Sequence, residues 1–259
     1  MKELSRRELL TQTVELAGAA TMGLPLVGAA ESPQAGDATP ARKLKVVVAG
    51  AHPDKVEIGC GGTIARYTDL GHEVVALYLT KGERGLKGKS FAEAGAIRAA
   101  EAVKACEILR ARPIFAGQVN GMVEWTYTRV AEFRKILEAE KPDVVFAHWP
   151  LDTHEDSRAN ASLVYDAWYM GGKKFAFYFF EVLTGHQTLH FFPTHYVDIT
   201  GTEARKRQAC YAHASKEPAV FYEEVQAVSR FRGRECGRQH AEGFIRHIES
   251  PEGALPFAV

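Results

Sequence analysis

Two short segments of the chain concentrate residue types that can bind a metal ion or move protons. The first, AHPDKVEIGCGG, contains His52 and Asp54. The second, HWPLDTHEDSR, contains His154 and Asp156. Imidazole nitrogens and carboxylate oxygens are ligands for zinc, and the same groups act as general acids and bases in hydrolysis. The two segments therefore indicate a site for hydrolytic chemistry.

The glycines of the first segment suggest an alternative, a cradle for the phosphates of a nucleotide. However, GCGG lacks the G-x-G-x-x-G spacing, and no Lys-Ser or Lys-Thr pair follows it. Close backbone approach, where the loop meets a helix, explains these glycines better. The pattern therefore disfavours nucleotide binding.

Along the chain, apolar runs alternate with segments of helical periodicity. Apolar runs predict strands at residues 43–50, 72–80, 112–117, 144–150, 175–183 and 194–200. Helical spacing predicts helices at residues 61–71, 90–109, 127–143, 160–171, 203–215 and 237–248. This rhythm predicts an α/β fold, a single doubly wound, Rossmann-like domain with a mainly parallel sheet and helices on both faces. Because ligands bind at the carboxyl ends of the strands in such folds, both segments should line one crevice.

The composition argues against several classes of protein. The 32 Lys and Arg residues balance the 32 Asp and Glu residues, so no net charge attracts nucleic acid or an anionic membrane. The four cysteines are widely spaced, which favours buried thiols over a zinc knuckle or a redox pair. We therefore expect a small-molecule partner, no nucleic acid and no stable membrane insertion, and the oligomeric state stays open.

The N-terminal residues differ in character from the rest of the chain. Arg6 and Arg7 stand side by side in SRRELL, and the Gly/Ala-rich run LAGAATMGLPLVGAA follows. This pattern predicts a twin-arginine export signal over residues 1–30, and ESPQAGDATPARK predicts a linker over residues 31–43. The apolar run is shorter than the about 20 residues of a membrane span. We therefore expect export to the periplasm or the extracellular space, with a folded domain over residues 44–259.

Several motifs together resemble the PIG-L/LmbE-like family of zinc-dependent N-deacetylases. AHPDK followed by EIGCGGTIA is similar to the family's A-H-P-D-D signature and glycine-rich helix start. LTKGERG resembles its T-x-G-E-R/G segment, and HEDSR resembles H-x-D-H followed by Arg. FPTHYVDIT, YAHASKEPAVFY and FRGRECGRQHAEGF resemble a secreted branch of the family. The resemblance, which runs from about residue 44 to residue 246, implies removal of an N-acetyl group from an amino sugar or its conjugate.

The resemblance also implies a role for each matching residue. His52 matches the first zinc ligand and Asp54 the general base. His154 matches the histidine that stabilises the oxyanion or acts as the acid, and Asp156 matches the carboxylate that orients this histidine. Arg158 follows the second signature and would bind a substrate carboxylate or phosphate, or form a structural salt bridge. The zinc ion of the family would lower the pKa of a bound water and polarise the amide carbonyl.

Two of the three zinc-ligand positions of the family are substituted in this chain. Lys55 stands at the second Asp of the first signature, and Ser157 stands at the last His of the second. A lysine ammonium has three donors and no lone pair to give, so zinc should bind weakly or not at all. We expect the Lys55 ammonium to lie within about 4 Å of Asp54 or Asp156, where it would replace part of the metal's charge; the alternative is a lysine that points into solvent.

Three alternatives stay open for the function. Glu57, His148 or Asp152 would restore a metal site if they replaced the missing ligands. Asp54 and His154 would hydrolyse an amide without metal at a poor rate, because the Lewis acid supplies several kcal/mol of transition-state stabilisation. The third alternative is a non-catalytic sugar-binding protein, a pseudoenzyme that keeps the crevice and has lost zinc.

Four further residues have simpler interpretations. His195 and His213 match family positions, but histidines on a strand or a helix are commonly structural. Arg98 and Glu101 are three residues apart on a predicted helix. That spacing predicts a surface ion pair or one between neighbouring elements.

Overall fold

Seven strands form one sheet in the computed structural model, which describes residues 42–259. The strands are β1 (Lys45–Gly50), β2 (Glu73–Thr80), β3 (Arg112–Gln118), β4 (Val144–His148), β5 (Ala176–Phe180), β6 (His195–Asp198) and β7 (Ala241–Arg246). Their order is β3-β2-β1-β4-β5-β7-β6. Strands β1 to β5 pair in parallel, and β7 runs antiparallel between β5 and β6. The predicted export signal, including Arg6 and Arg7, and most of the predicted linker lie outside the described residues.

Six helices cover the two faces of this sheet. They are α1 (Lys55–Asp69), α2 (Phe91–Leu109), α3 (Tyr127–Glu140), α4 (Glu155–Met170), α5 (Glu203–Tyr211) and α6 (Pro218–Cys236). Val46 and Val48 of β1 pack with α1, α2, α5 and α6, whereas Val47 and Ala49 pack with α3 and α4. Alternate residues of the strand thus enter two separate cores, which is why β1 is apolar throughout. The predicted α/β fold with helices on both faces is confirmed.

Helix α1 begins at Lys55, six residues before the predicted start at residue 61. Its glycines lower helix propensity and hide the periodicity, but packing requires them. A Cβ at Gly59 would lie 2.3 Å from the Phe180 ring, and one at Gly62 would lie 2.6 Å from Ile199. Because α1 begins at Lys55, this residue belongs to the first turn of a helix and is not part of a loop.

Helix α4 also begins earlier than predicted, at Glu155 instead of residue 160. His154 is its N-cap residue, and the His154 ring accepts a hydrogen bond from the backbone N–H of Asp156. Asp156 and Ser157 are consequently held in the first helical turn, where a carboxylate interacts favourably with the helix dipole.

The predicted helix over residues 237–248 is wrong. Helix α6 ends at Cys236, Gly237 follows with a φ of 73°, and the chain then enters β7. The segment forms a strand because it fills the gap between β5 and β6, and Phe244 is fully buried there. The predicted helix over residues 203–215 is shorter than expected, since α5 ends at Tyr211 and a separate 3₁₀ turn covers Ala214–Lys216.

Within the described residues, no helix is both long enough and apolar enough to cross a bilayer.

Candidate functional site

The two polar segments meet at the carboxyl edge of the sheet. The first follows β1 and the second follows β4, and these strands are parallel neighbours. The Nε2 atom of His52 lies 3.2 Å from Oδ2 of Asp156, and the rings of His52 and His154 are 4.8 Å apart between their centres. The predicted convergence on one crevice is confirmed.

The buried His52 ring is held in a defined tautomer. Its Nδ1 atom lies 2.8 Å from the Thr80 hydroxyl oxygen. That hydroxyl donates its proton to the carbonyl of Ala51 at 3.1 Å, so it accepts the Nδ1–H of His52. Nε2 lies 3.0 Å from the Asn120 amide nitrogen, which is equally close to Nδ1, and 3.2 Å from Oδ2 of Asp156. Burial lowers the pKa of His52 well below its usual value, which keeps the ring neutral.

His154 presents a hydrogen-bond donor to the crevice. Its Nδ1 accepts the backbone N–H of Asp156 at 3.2 Å, so the proton of the neutral ring is on Nε2. The backbone N–H of His154 donates to the Asp152 carboxylate at 2.8 Å. Its side chain is 35% exposed, which leaves Nε2–H available to a ligand.

The Asp156 carboxylate contacts His52 more directly than His154. It accepts the backbone N–H of Gly121 at 2.6 Å and lies next to His52 Nε2. Its polar contact with the His154 ring is made by the backbone N–H instead. Burial raises the pKa of Asp156. In this arrangement the backbone of Asp156, and not its carboxylate, orients His154.

Two cations approach the buried Asp54 from opposite sides. The Lys55 ammonium lies 3.9 Å from Oδ1, which confirms the expected distance, and the Arg98 guanidinium lies 3.3 Å from Oδ2. Burial would raise the pKa of Asp54, but these charges outweigh it and the pKa is lowered. The backbone of Asp54 has a φ of 93°, a conformation that strains a residue with a Cβ and is common at functional sites.

Arg98 itself differs from its predicted role. It is 2% exposed, and beyond its ion pair with Asp54 it donates to the carbonyl of Pro53. Glu101 is occupied elsewhere, since it accepts hydrogen bonds from the backbone N–H and hydroxyl of Ser215. The predicted Arg98–Glu101 ion pair is therefore wrong, and Arg98 supports the site instead.

Gln187 contacts both Lys55 and Ser157, the residues at the two expected ligand positions. Its side-chain carbonyl accepts a hydrogen bond from Lys55 Nζ at 3.1 Å. Its amide nitrogen donates to the Asp152 carboxylate at 3.2 Å and lies 3.4 Å from the Ser157 hydroxyl. We call this set, Lys55, Gln187, Ser157 and Asp152, the glutamine network.

The residues at two of the expected metal-ligand positions, Lys55 and Ser157, are poor donors for zinc. Lys55 offers no lone pair, and the Ser157 hydroxyl lies against the Gln187 amide. Within residues 42–259, one group of potential ligand atoms converges, namely those of His52, His154 and Asp156, which lie within 4.8 Å of one another. The lone pair of His154 Nδ1 is already engaged by a backbone N–H, and Nε2 then carries a proton. The group thus offers two free ligands where a catalytic zinc needs three.

The three candidate replacement ligands are held away from this group. Glu57 lies 3.3 Å from His213 and accepts a hydrogen bond from the Tyr78 hydroxyl. His148 accepts the backbone N–H of Ala51 at 3.1 Å. Asp152 belongs to the glutamine network. Their side chains are committed to structural contacts.

The remaining candidates have structural contacts. Arg158 donates to the backbone carbonyls of Asp152 and Thr153 at 2.7 and 3.1 Å, which stabilises the second segment. His195 lies on β6 and packs against Tyr178.

Gln187 and Arg98 were missed as site residues, although each leaves a signal in the sequence. Gln187 lies in the polar segment EVLTGHQT after β5, and a loop after a parallel neighbour of β4 reaches the same edge of the sheet. Arg98 stands among small residues in AGAIRAAEA, where its long side chain has room to extend inward.

Comparisons with known proteins agree with this fold. Residues 47–168 match the family described as PIG-L: GlcNAc-PI de-N-acetylase. The chain is 31% identical to the diacetylchitobiose deacetylase of Thermococcus kodakarensis over 226 residues, which is 79% of this chain and 83% of that protein.

The solved structures that are similar to this one include two at 25% identity or more. The conserved protein TT1542 from Thermus thermophilus has a TM-score of 0.69 at 27% identity, with 81% of this chain and 97% of that chain covered. N,N'-diacetylchitobiose deacetylase from Pyrococcus horikoshii, complexed with its inhibitor MPG, has a TM-score of 0.70 at 25% identity, with 80% and 86% covered. This chain therefore belongs to the PIG-L: GlcNAc-PI de-N-acetylase family.

Proposed function

We propose that this chain binds an N-acetylated amino sugar, or a conjugate of one, in the crevice at the carboxyl edge of the sheet, without the zinc ion implied by its family. Similarity to diacetylchitobiose deacetylases supports the sugar. The retained His52, Asp54, His154 and Asp156 support the crevice as the binding site.

The glutamine network carries this proposal. It occupies both positions at which the family's other two ligands would stand, and it places an ammonium there. A dication would have to displace that ammonium or bind beside it, and like charges repel strongly in a partly buried site. The network therefore favours a crevice that works without zinc.

The polar groups of the crevice complement an N-acetyl group. Oδ1 of Asp54 is buried and has no hydrogen-bond partner among residues 42–259, and the Lys55 ammonium lies 3.9 Å from it. If the Lys55 side chain moves aside, this oxygen can accept the amide N–H of a ligand. His154 Nε2–H can donate to the acyl oxygen. An unpaired buried acceptor costs about 1–3 kcal/mol, and the ligand would remove that cost.

A second candidate is a hydrolase with a weakened site. The group formed by His52, His154 and Asp156 favours it, because all three are ligand types for zinc and lie close together. Metal binding there would require His154 to release its bond from the Asp156 backbone and to change tautomer. Asp54 would then be the base that accepts a proton from water.

Metal content, sugar binding and acetate release distinguish the two candidates. Purified protein would be incubated with zinc, desalted and analysed, and N-acetylglucosamine binding would be measured by calorimetry. The binding protein should retain far less than one zinc per chain, bind the sugar and release no acetate from N,N'-diacetylchitobiose. Stoichiometric zinc with acetate release would establish the hydrolase instead.

A matched pair of variants ties the binding to the crevice. Asp54→Asn should weaken sugar binding about tenfold, since a buried charged acceptor is lost. Glu138→Gln, on α3 with a side chain 60% exposed, should leave binding unchanged. Equal binding by both variants would place the sugar outside this crevice.

A further inference from the structure

A cleft beside α4 is lined by four aromatic rings and one carboxylate. The rings are those of Trp125, Tyr165, Phe179 and His247, and the carboxylate is that of Asp166. The cleft, which we call the aromatic cleft, has a volume of about 550 Å³. Small-molecule sites have volumes of about 300–1,000 Å³, with aromatic walls and few polar groups. The aromatic cleft thus has the size and the lining of a ligand site.

The aromatic cleft is separate from the crevice at the carboxyl edge of the sheet. The crevice residues His52, Asp54, His154 and Asp156 are not among those that line it. Asp166 follows Asp156 by ten residues on α4, which is about 15 Å along the axis of a helix. A ligand bound at Asp166 would therefore leave the crevice free.

A hydrogen bond holds the indole ring of Trp125 beside Asp166. The indole Nε1–H donates to Oδ2 of the carboxylate at 2.8 Å. Trp125 is nevertheless 59% exposed, so a ligand can contact the ring while its edge stays in place. Because the indole donor is neutral, the hydrogen bond does not cancel the negative charge of the carboxylate.

Asp166 has no ion-pair partner in the part of the chain that the structure describes. The one titratable ring of the cleft, His247, accepts the backbone N–H of Glu249 through Nδ1 at 3.2 Å. Burial lowers the pKa of His247, which keeps its ring neutral. The charge of Asp166 is therefore left for a ligand to neutralise.

The cations nearby on the chain are directed to other rings. The Lys173 ammonium, which follows α4, lies 4.7 Å from the centre of the Tyr169 ring and 2.7 Å from the Glu249 carboxylate. Over residues 42–259, no lysine or arginine lies over a ring of the aromatic cleft. The faces of these rings thus have no cationic partner from the described chain.

We propose that the aromatic cleft binds a small organic cation, an alkylated ammonium, against the ring of Trp125 and the carboxylate of Asp166. The face of an aromatic ring attracts a cation within about 6 Å of its centre, tryptophan most strongly, and rings grouped in this way recognise quaternary ammonium groups. The methyl groups of such a cation contact the rings, and Asp166 supplies the counter-charge. This site goes beyond the proposed function and does not depend on it.

Calorimetry on the full chain with two matched probes tests the charge of the ligand. The first probe is choline, and the second is dimethylbutanol, in which a neutral tert-butyl group replaces the trimethylammonium group. Choline should bind about tenfold more tightly than the alcohol, which corresponds to about 1.4 kcal/mol. Equal affinity for the two would mean a merely apolar cleft and would overturn the inference, as would the absence of choline binding.

Two variants assign the binding to the aromatic cleft. Asp166→Asn keeps an acceptor for the indole N–H and removes the charge, so the affinity for choline should fall about tenfold while that for the alcohol stays the same. Trp125→Leu should weaken choline binding more than alcohol binding, because it replaces a ring with an apolar side chain. Glu138→Gln on α3, with a side chain 60% exposed, and Phe91→Leu on α2, at a residue 50% exposed, make the same kinds of change elsewhere and should have no effect. Choline binding that survives both cleft variants would place the cation elsewhere and overturn the inference.

Sugar binding separates a failure here from a failure of the proposed function. Asp54→Asn should leave choline binding unchanged, and Asp166→Asn should leave the binding of N-acetylglucosamine unchanged. Competition between choline and the sugar would mean a shared site and would overturn the inference. If the sugar binds and choline does not, the inference is wrong and the proposed function stands; the reverse result has the opposite meaning.

Discussion

The Lys55 ammonium donates a 3.1 Å hydrogen bond to the side-chain carbonyl of Gln187, a residue 132 positions further along the chain. The amide nitrogen of the same glutamine faces Ser157. Lys55 and Ser157, the residues at two expected ligand positions, are thus connected through a third residue in a polar network.

Restoring the two ligands should restore a metal site. The double variant Lys55→Asp with Ser157→His would supply a carboxylate and an imidazole beside His52, whose Nε2 lone pair already faces the crevice. We expect about one zinc per chain, as for a three-ligand catalytic site, and neither single variant should reach this level. Elemental analysis of the desalted protein measures the zinc content per chain.

A folded double variant without zinc would contradict this expectation. The triple variant that adds Gln187→Ala then tests whether the glutamine amide blocks the site. Should the triple variant also bind no zinc, the surroundings of the ligands, and not only the ligands, have changed.

Gln187→Met should destabilise the fold. The change removes one acceptor of Lys55 and one donor to Asp152, although Asp152 keeps the backbone N–H of His154 and Lys55 keeps its ion pair with Asp54. We expect the free energy of unfolding to fall by about 1 kcal/mol, the value of an ordinary hydrogen bond. The control is His186→Ala, at the residue before Gln187, whose side chain is 75% exposed. This variant should change the free energy of unfolding by no more than about 0.5 kcal/mol. Equal effects in urea unfolding would mean that the network adds no stability.

The buried pair of His213 and Glu57 should make stability depend on pH. Burial alone would lower the pKa of His213, but the carboxylates of Glu57 and Asp54 outweigh it and the pKa is raised. A raised folded-state pKa contributes stability that is fully present below the unfolded value of about 6.5 and is lost as pH rises through the folded value.

The variant His213→Gln isolates this contribution. In acid, the free energy of unfolding of the wild type should exceed that of the variant by about 3 kcal/mol, because the variant leaves Glu57 buried without a counter-charge. The difference should be full below about pH 6.5 and should narrow as the pH rises from there through the raised folded-state pKa of His213, where the wild-type histidine loses its proton. A difference that stays constant over this range would assign the effect to packing of the ring.

The N-terminal arginine pair gives a prediction about location. We propose that the protein is exported folded by the twin-arginine route, on the basis of Arg6, Arg7 and the apolar run after them. Replacing both arginines with lysine should leave the protein in the cytoplasm of an expressing bacterium, as cell fractionation would measure. Unchanged export would mean that the pair is not a signal.

Local pattern predicted strands β1 to β5 and placed the two polar segments at one edge of the sheet. It did so because buried parallel strands are continuous apolar runs and because loops after neighbouring strands share an edge. It failed after residue 236, where GRQHAEGFIRHI has helical spacing but forms β7. The segment forms a strand because it pairs with both β5 and β6. Nothing in the local sequence indicates that these two strands leave room for another between them.

The sequence by itself determined the family resemblance, the α/β fold and the conflict between Lys55 and a zinc site, because these depend on residue types and on spacing along the chain. Only the tertiary structure decided which side chains surround Lys55. Gln187 and Arg98 come from two separate parts of the fold, and their contacts with the site depend on how α2 and the loop after β5 pack. Long side chains such as these have many rotamers, and packing selects among them. The glutamine network and the support of Asp54 by Arg98 therefore became visible only in the folded chain.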